Sequence, residues 1–360
     1  MEGPRGLRKT EFKSAEQLVN SIFRPNKKSS MIDDFPLLYS QPNLDNLRVY
    51  VDKGKVISLV GLVMRDINIF GSRFRVVEIG SVCTALEYRG KGLSSSLLVD
   101  AERVSISEDA SVMFISGDLG LYRRFGAVGA GIYFMSTLKS DILGEFEPID
   151  VRVAKQADLP LMSAMHSTER VRFERSVEQF ELIFRAISEG QVIPGHTVEI
   201  FISECGYIVL TRDDKENLNC IEHAGDTLCI IGMIKSVLQK KQANSLILHT
   251  IGTEYGLNRL LSKICQPMRR NLSGTIKIID PEKLGKSLTS YFSQRTNVQV
   301  KLNNTYTLEI GRHVFELSTE DFTRTVFGST EKIRETYDEI TALTKGVLPI
   351  PLPDYGMDYV

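Results

Sequence analysis

The chain has 360 residues, with 44 Lys and Arg against 45 Asp and Glu and a net charge of −1. That length suffices for two or three domains with cores of their own, and 42% hydrophobic with 25% charged residues is an ordinary globular composition. The near-zero charge removes the generic attraction to nucleic acid or anionic membrane, so neither is expected as a partner, and no apolar run reaches the ~18–20 residues that cross a bilayer.

The N-terminus, MEGPRGLRKTEFKSAEQ, has basic residues with no hydrophobic stretch behind them, so no secretory signal is expected. Residues 13–23 place Ala15, Leu18, Val19, Ile22 and Phe23 at helical spacing, with Ser14 and Gln17 as a capping box. Residues 56–64 (VISLVGLVM) and 74–84 are strands, parted by a turn at Gly71. Residues 93–107 form a helix with Leu93, Leu97, Leu98 and Ala101 on one stripe. A short buried strand follows at 112–116 and a short helix at 119–125. Strands alternating with helices argue for an α/β layer.

At 145–150 (EFEPID) the pattern breaks. Residues 151–165 then repeat the layout of 7–23: short strand, polar turn, amphipathic helix. YIVL, LNCIEHAG, a helix over 226–240, SLILHT and a helix over 254–264 repeat the earlier order, which suggests an internal duplication. From Gly274, TIKIID, NVQVKL, TYTLEI and HVFELS read as short strands, with helices over 281–292 and near 331–343. Prolines keep the tail LPIPLPDYGMDYV stiff and extended.

The five cysteines (Cys83, Cys205, Cys220, Cys229 and Cys265) are odd in number, scattered, and free of any CxxC. They are expected to be reduced, buried thiols of a cytoplasmic protein. The five histidines form no HExxH or HxxxH pair, so no metal is expected.

Residues 82–96, VCTALEYRGKGLSSS, carry the clearest chemistry. A strand ends near Thr84, and Arg89-Gly90-Lys91-Gly92-Leu93-Ser94 opens a helix. Glycines let backbone approach a ligand, and successive N–H groups at a helix start form an anion cradle. The spacing suits a phosphate or pyrophosphate, yet it is neither GxxxxGK[ST] nor GxGxxG.

This R-G-K-G-L after a V-x-T strand resembles the acetyl-CoA loop of the GNAT N-acetyltransferase superfamily. SGDLGLYRRFG, at 116–126, is similar to that superfamily's next strand and helix, with its Y-x-x-F-G ending. The resemblance covers roughly residues 5–140. The length and three-part plan further resemble the multidomain aminoglycoside acetyltransferases known for enhanced intracellular survival. That implies an α+β chain: a catalytic GNAT fold over 1–147, a degenerate GNAT-like domain over 148–270, and a small sterol-carrier-like domain with its tail over 271–360.

The resemblance also implies roles. Backbone of Val82, Cys83 and Thr84 would pair with the pantetheine arm of acetyl-CoA as an added strand. Backbone N–H groups of Arg89, Gly90, Lys91, Gly92, Leu93 and Ser94 would hold the pyrophosphate, with Ser116 a further contact. Tyr122 would protonate the departing sulfur, a phenol being neutral at pH 7 and able to donate. The general base stays open among the Val360 carboxylate, Glu78 and water. Counting by twos puts Glu78, Gly80, Val82 and Thr84 on one strand face. Ala224-Gly225-Asp226-Thr227, the counterpart of the phosphate loop, lacks both basic residues and the second glycine, so the second domain is not expected to bind CoA.

The expected activity is transfer of an acetyl group to a primary amine on a small molecule or peptide; the alternative is a non-catalytic acetyl-CoA-binding sensor or scaffold. No acidic cluster stands out for a polycationic acceptor. A lipid-carrying role for the C-terminal part is poorer, that part being too short to enclose a large cavity unaided. Lys235, Lys240 and Lys241 read as a solvated helix face and His166 as a surface helix end. One of Arg123 and Arg124 suits the 3′-phosphate of CoA or an acidic substrate, a salt bridge being the commoner outcome. A homo-oligomer is possible.

Overall fold

The computed structural model describes residues 1–26, 29–189, 196–213, 215, 217–331, 333 and 336–359. They form two compact units, each built from discontinuous chain. The first takes Met1–Ala130 and Ser273–Ile350; the second takes Gly131–Leu272 and Pro351–Tyr359.

The first unit opens with β1 (Glu2–Gly6), α1 (Phe12–Phe23), α2 (Met31–Asp34), β2 (Leu47–Asp52), β3 (Lys55–Ile69), β4 (Ser72–Thr84), α3 (Leu93–Ser107), β5 (Ala110–Ile115) and α4 (Gly120–Arg124). The chain then enters the second unit as β6 (Ile132–Lys139), β7 (Arg152–Val153), α5 (Leu159–Thr168), β8 (Val171–Phe173), α6 (Val177–Glu189), β9 (His196–Ile202), β10 (Gly206–Asp213), β11 (Leu218–Gly225), α7 (Thr227–Lys241), β12 (Ser245–Ile251), α8 (Tyr255–Ile264) and β13 (Met268–Asn271). It returns to the first as β14 (Thr275–Ile278), α9 (Pro281–Ser287), α10 (Thr289–Ser293), β15 (Val300–Asn303), β16 (Thr307–Ile310), β17 (His313–Glu316), α11 (Thr319–Phe327) and α12 (Thr336–Leu343).

The sheet of the first unit runs β1-β2-β3-β4-β5-β14. Along that order β4 and β5 are the parallel pair, as a crossover through α3 requires. α3 lays the predicted stripe of Leu97, Leu98 and Ala101 on Val60, Leu62, Val77 and Ile79. Each such leucine contributes about 2 kcal/mol by leaving water. α1 begins before its expected capping box: its N-cap is Glu11, and the Ser14 hydroxyl instead accepts the Val56 N–H at 2.9 Å.

The second sheet runs β13-β6-β12-β11-β10-β9-β7, and its one parallel pair is β11 with β12. The succession β9-β10-β11-α7-β12-α8 repeats β2-β3-β4-α3-β5-α4. The outer strands are traded between the sheets. β6, which directly follows the first half, pairs antiparallel with β12, while β14 returns from the second half to pair antiparallel with β5. The grouping therefore differs from a linear division at 147 and 270. The C-terminal part joins the first unit, as β14, a sheet β15-β16-β17 and helices α9 to α12.

Three further expectations are corrected. The helix over 281–292 is two helices with a break at Leu288. Cys205 and Cys229 are joined in a disulfide, while Cys83, Cys220 and Cys265 are free thiols. Cys205, on the turn between β9 and β10, is brought to the first turn of α7 by the β11-α7 crossover. Lys235, Lys240 and Lys241 are not simply a solvated face: Lys240 is exposed as expected, yet the three ammonium groups reach the Gly144, Phe146 and Val151 carbonyls and the Glu199 carboxylate. Among the described residues no helix is long and apolar enough to cross a membrane.

Candidate active site

The site begins where two parallel strands part. β4 pairs with β5 from Arg75 to Ile79, and the Ser116 N–H closes the ladder on the Ile79 carbonyl at 2.9 Å. Beyond it β4 continues to Thr84, paired with β3 on one side only. The edge of Gly80 to Thr84 toward β5 therefore lines a fork, open to an added extended chain.

A β-bulge sits at the fork. Leu59 pairs with Cys83 but Gly61 pairs with Gly80, so β4 carries one extra residue, and Ser81 takes φ 54°. The bulge reverses which side chains face α3. Val77 and Ile79 face it before the bulge; Val82 and Thr84 face it after. Glu78 therefore does not share a face with Val82 and Thr84, as counting by twos had it. It is fully buried on the opposite face, diagonal to buried Arg65 on β3. Cys83 is buried there too, and burial pushes its thiol up to about 12.

The loop after β4 leads into α3 through two left-handed glycines, Gly90 (φ 77°) and Gly92 (φ 75°). A Cβ at either would meet nothing within 4 Å, so conformation alone requires glycine there, on a face open to approach. Gly92 is the N-cap of α3, and no side chain caps the helix. Its first N–H groups are thus presented to the loop's open face. Exposed Arg89 donates to the Thr84 carbonyl at 3.2 Å, and Lys91 lies 4.6 Å over the Tyr88 ring.

Tyr122 is 3% exposed and packs with Ile79 and Ile115, the last residues paired before the fork. A Cβ on Gly117 would lie 3.5 Å from its ring. The structure thus brings Val82, Thr84, Ser116 and Tyr122 to one fork and puts Arg89 to Ser94 on the loop after it. Arg123 is held by Asp118 at 2.7 Å and Glu331 at 3.0 Å, so the salt-bridge expectation holds for it. Val360 lies outside the described residues.

A fork beside an uncapped, glycine-led helix is the arrangement expected for an acyl-CoA site. Residues 4–129 match the family model described as an acetyltransferase (GNAT) domain. By that match the stretch is similar to a GNAT acetyltransferase domain. No curated protein matches the chain closely enough to count as a relative. Among solved structures, a GCN5-related N-acetyltransferase from Anabaena variabilis aligns over 97% of this chain and 96% of its own, at 13% identity and TM-score 0.65. A probable N-acyltransferase from Enterococcus faecalis aligns over 90% and 89%, also at 13% identity and TM-score 0.65. Eis1 from Mycobacterium abscessus aligns over 87% and 84%, at 12% identity and TM-score 0.59. These likenesses are of fold, and they run over nearly the whole chain.

The second unit repeats the bulge and fork of the GNAT domain without its anion cradle. Val209 pairs with Glu222 but Leu210 with Cys220, a bulge at Ile221, and β11 leaves β12 after Cys220. Here, however, the Asp226 carboxylate caps α7 by accepting the Leu228 N–H at 2.9 Å, so a negative charge occupies the phosphate position. Pro353, Asp354 and Asp358 line this second fork together with residues of α5, β8, β11 and β12 and with Glu254 at the N-cap of α8, leaving a pocket of ≈ 70 Å³.

The cluster around that pocket was not foreseen, because its members are spread from His166 to Asp358. Arg175, 1% exposed, donates to both Glu222 oxygens at 2.8 and 2.7 Å and to Asp358. Burial pushes the Glu222 carboxyl up, but Arg175 outweighs burial and holds it at about 2. Burial raises Glu169 and Glu254. His249 Nδ1 lies 2.9 Å from Asp354, and His223 Nε2 3.3 Å from Glu254. His166, expected at the surface, is 8% exposed and lowered by burial. Among the described residues no group of three or more His, Cys, Asp or Glu could hold a metal ion.

Proposed function

We propose that the chain is an acetyl-CoA-dependent N-acetyltransferase that acylates a primary amine. The observation that carries this reading is the open β4 edge leading directly into an uncapped, glycine-led helix. Bound there, acetyl-CoA supplies an acetyl group activated as a thioester. The backbone from Val82 to Thr84 pairs with its extended arm, and N–H groups from Arg89 to Ser94 hold its pyrophosphate.

The amine attacks the thioester carbon directly. A backbone N–H near Val82 steadies the oxygen as charge gathers on it. As the new C–N bond forms and the C–S bond breaks, Tyr122 gives its proton to the sulfur and later regains one from solvent. Water takes the proton lost by the amine, since Glu78 is buried on the far face of β4. The acceptor is a small-molecule or peptide amine. The expected cytoplasmic location rested on five reduced thiols; the Cys205–Cys229 disulfide removes that support, and no compartment is proposed.

Calorimetric titration with acetyl-CoA, with Gly92→Asp as control, tests the site. Micromolar binding abolished by the substitution supports the reading, and no binding by the intact chain sinks it. With an amine panel, Tyr122→Phe should lower turnover about 100-fold while acetyl-CoA still binds. Unchanged turnover would remove Tyr122 as the acid. Cofactor binding with no transfer to any amine would favour the sensor.

A further inference from the structure

Three hydroxyls tie the cofactor loop to the strands beneath it. Ser58 on β3, Thr84 at the end of β4 and Ser94 in the first turn of α3 stand in a row. Ser58 Oγ lies 2.7 Å from Thr84 Oγ1, which lies 2.7 Å from Ser94 Oγ. At the inner end, Ser58 donates to the Cys83 carbonyl at 3.0 Å. A hydroxyl has one hydrogen to give. Ser58 commits its hydrogen to Cys83, so Thr84 donates to Ser58 and Ser94 donates to Thr84. The row runs one way, from the helix to the strand backbone.

This direction decides what the loop presents. The Ser94 hydrogen points inward, so it is not offered to an anion outside, and the donors left there are backbone N–H groups. The row also depends on the bulge. Were residues 79–84 to alternate regularly, with no bulge at Ser81, Cys83 rather than Thr84 would face α3, and a weakly bonding thiol would stand in the middle position. Ser58 is fully buried, where a satisfied hydrogen bond is stronger than in water. A second tie, Tyr50 to Ser96 at 2.8 Å, fastens the same helical turn to β2.

We infer that Ser58 and Thr84 are positioning residues for acetyl-CoA. They act through Ser94 to keep the first turn of α3 in register with the open edge of β4. The helix start meets the phosphate end of the ligand and the strand edge meets its arm. Fixed spacing lets one molecule engage both at once, the second contact forming at high effective concentration. The inference rests on the acetyl-CoA reading above.

The test is calorimetric titration of the full chain with acetyl-CoA and, separately, with adenosine 3′,5′-bisphosphate and pantetheine. Thr84→Val removes the middle hydroxyl at nearly equal volume. Ser94→Ala removes the outer one and serves where Thr84→Val fails to fold. In both, the Kd for acetyl-CoA should rise about tenfold, as expected for one lost hydrogen bond, while the two half-ligands bind as to the wild type. Thr84→Ser should stay within about twofold of the wild type. Unchanged acetyl-CoA binding in both variants overturns the inference. So do half-ligands weakened as much as the whole, or a Thr84→Ser no better than Thr84→Val. A wild-type chain that binds no acetyl-CoA removes the cofactor reading itself, and shows this before any variant is made.

Discussion

Gly92 and Gly356 both hold positive φ, 75° and 52°, but only one is also confined by neighbours. A Cβ at Gly92 meets nothing, so Gly92→Ala should cost about 1 kcal/mol of left-handed strain in a thermal melt. A Cβ at Gly356 would come 2.3 Å from Glu222 Oε2, and Arg175 holds that carboxylate in place. Gly356→Ala should therefore cost about 3 kcal/mol or more, and an equal loss at the two sites would refute the steric argument. Glu222 carries a pH signature as well. Its pKa is lowered from 4.5 to about 2, so its contribution to stability is complete above pH 4.5 and fades as pH falls through 2. Removing it with Glu222→Gln should cost about 3 kcal/mol at pH 7 and far less near pH 2. A urea-unfolding difference independent of pH would contradict that. Nothing local foretold this ion group, since each member looks like a routine surface charge in its own segment.

At the scale of elements, the sequence was most legible where one period runs unbroken. The stripe from Leu93 to Ala101 marks α3 to its ends, and Gly90 and Gly92 mark the loop before it. The same arithmetic failed on β4, because a period of two assumes that no residue is inserted, and the bulge at Ser81 inserts one. It moved Glu78 off the face of Val82 and Thr84. Ser14 misled for a related reason: its hydroxyl found a strand N–H from residue 56, which no short-range rule can see. The disulfide was invisible because the β11-α7 crossover, not spacing, brings Cys205 to Cys229. Cys205→Ser opens a link across a sequence separation of 24 and should lower unfolding stability by about 3 kcal/mol. The wild type in reductant should lose the same amount, and indifference to both changes would deny the bridge a stabilising role.

For the whole molecule, the repeated strand order was readable but the trade of outer strands was not. The strand signal of TIKIID says where a strand lies, not which sheet takes it, and the strand at Ile132–Lys139 was not read from the sequence at all. The trade makes a sharp prediction. A fragment of residues 1–147 lacks β14, so β5 loses its antiparallel neighbour and exposes an unpaired edge. That fragment should melt at least 10 °C below the full chain by circular dichroism and aggregate, and a native-like melt would show the first sheet to be self-sufficient. The trade also bears on the chain's birth. On a ribosome the first sheet waits for residue 278 to emerge, and the second unit, opened by β6, waits for the segment ending at Tyr359. Neither half can finish before the other is under way, so the usual N-terminus-first order of maturation is denied to this protein.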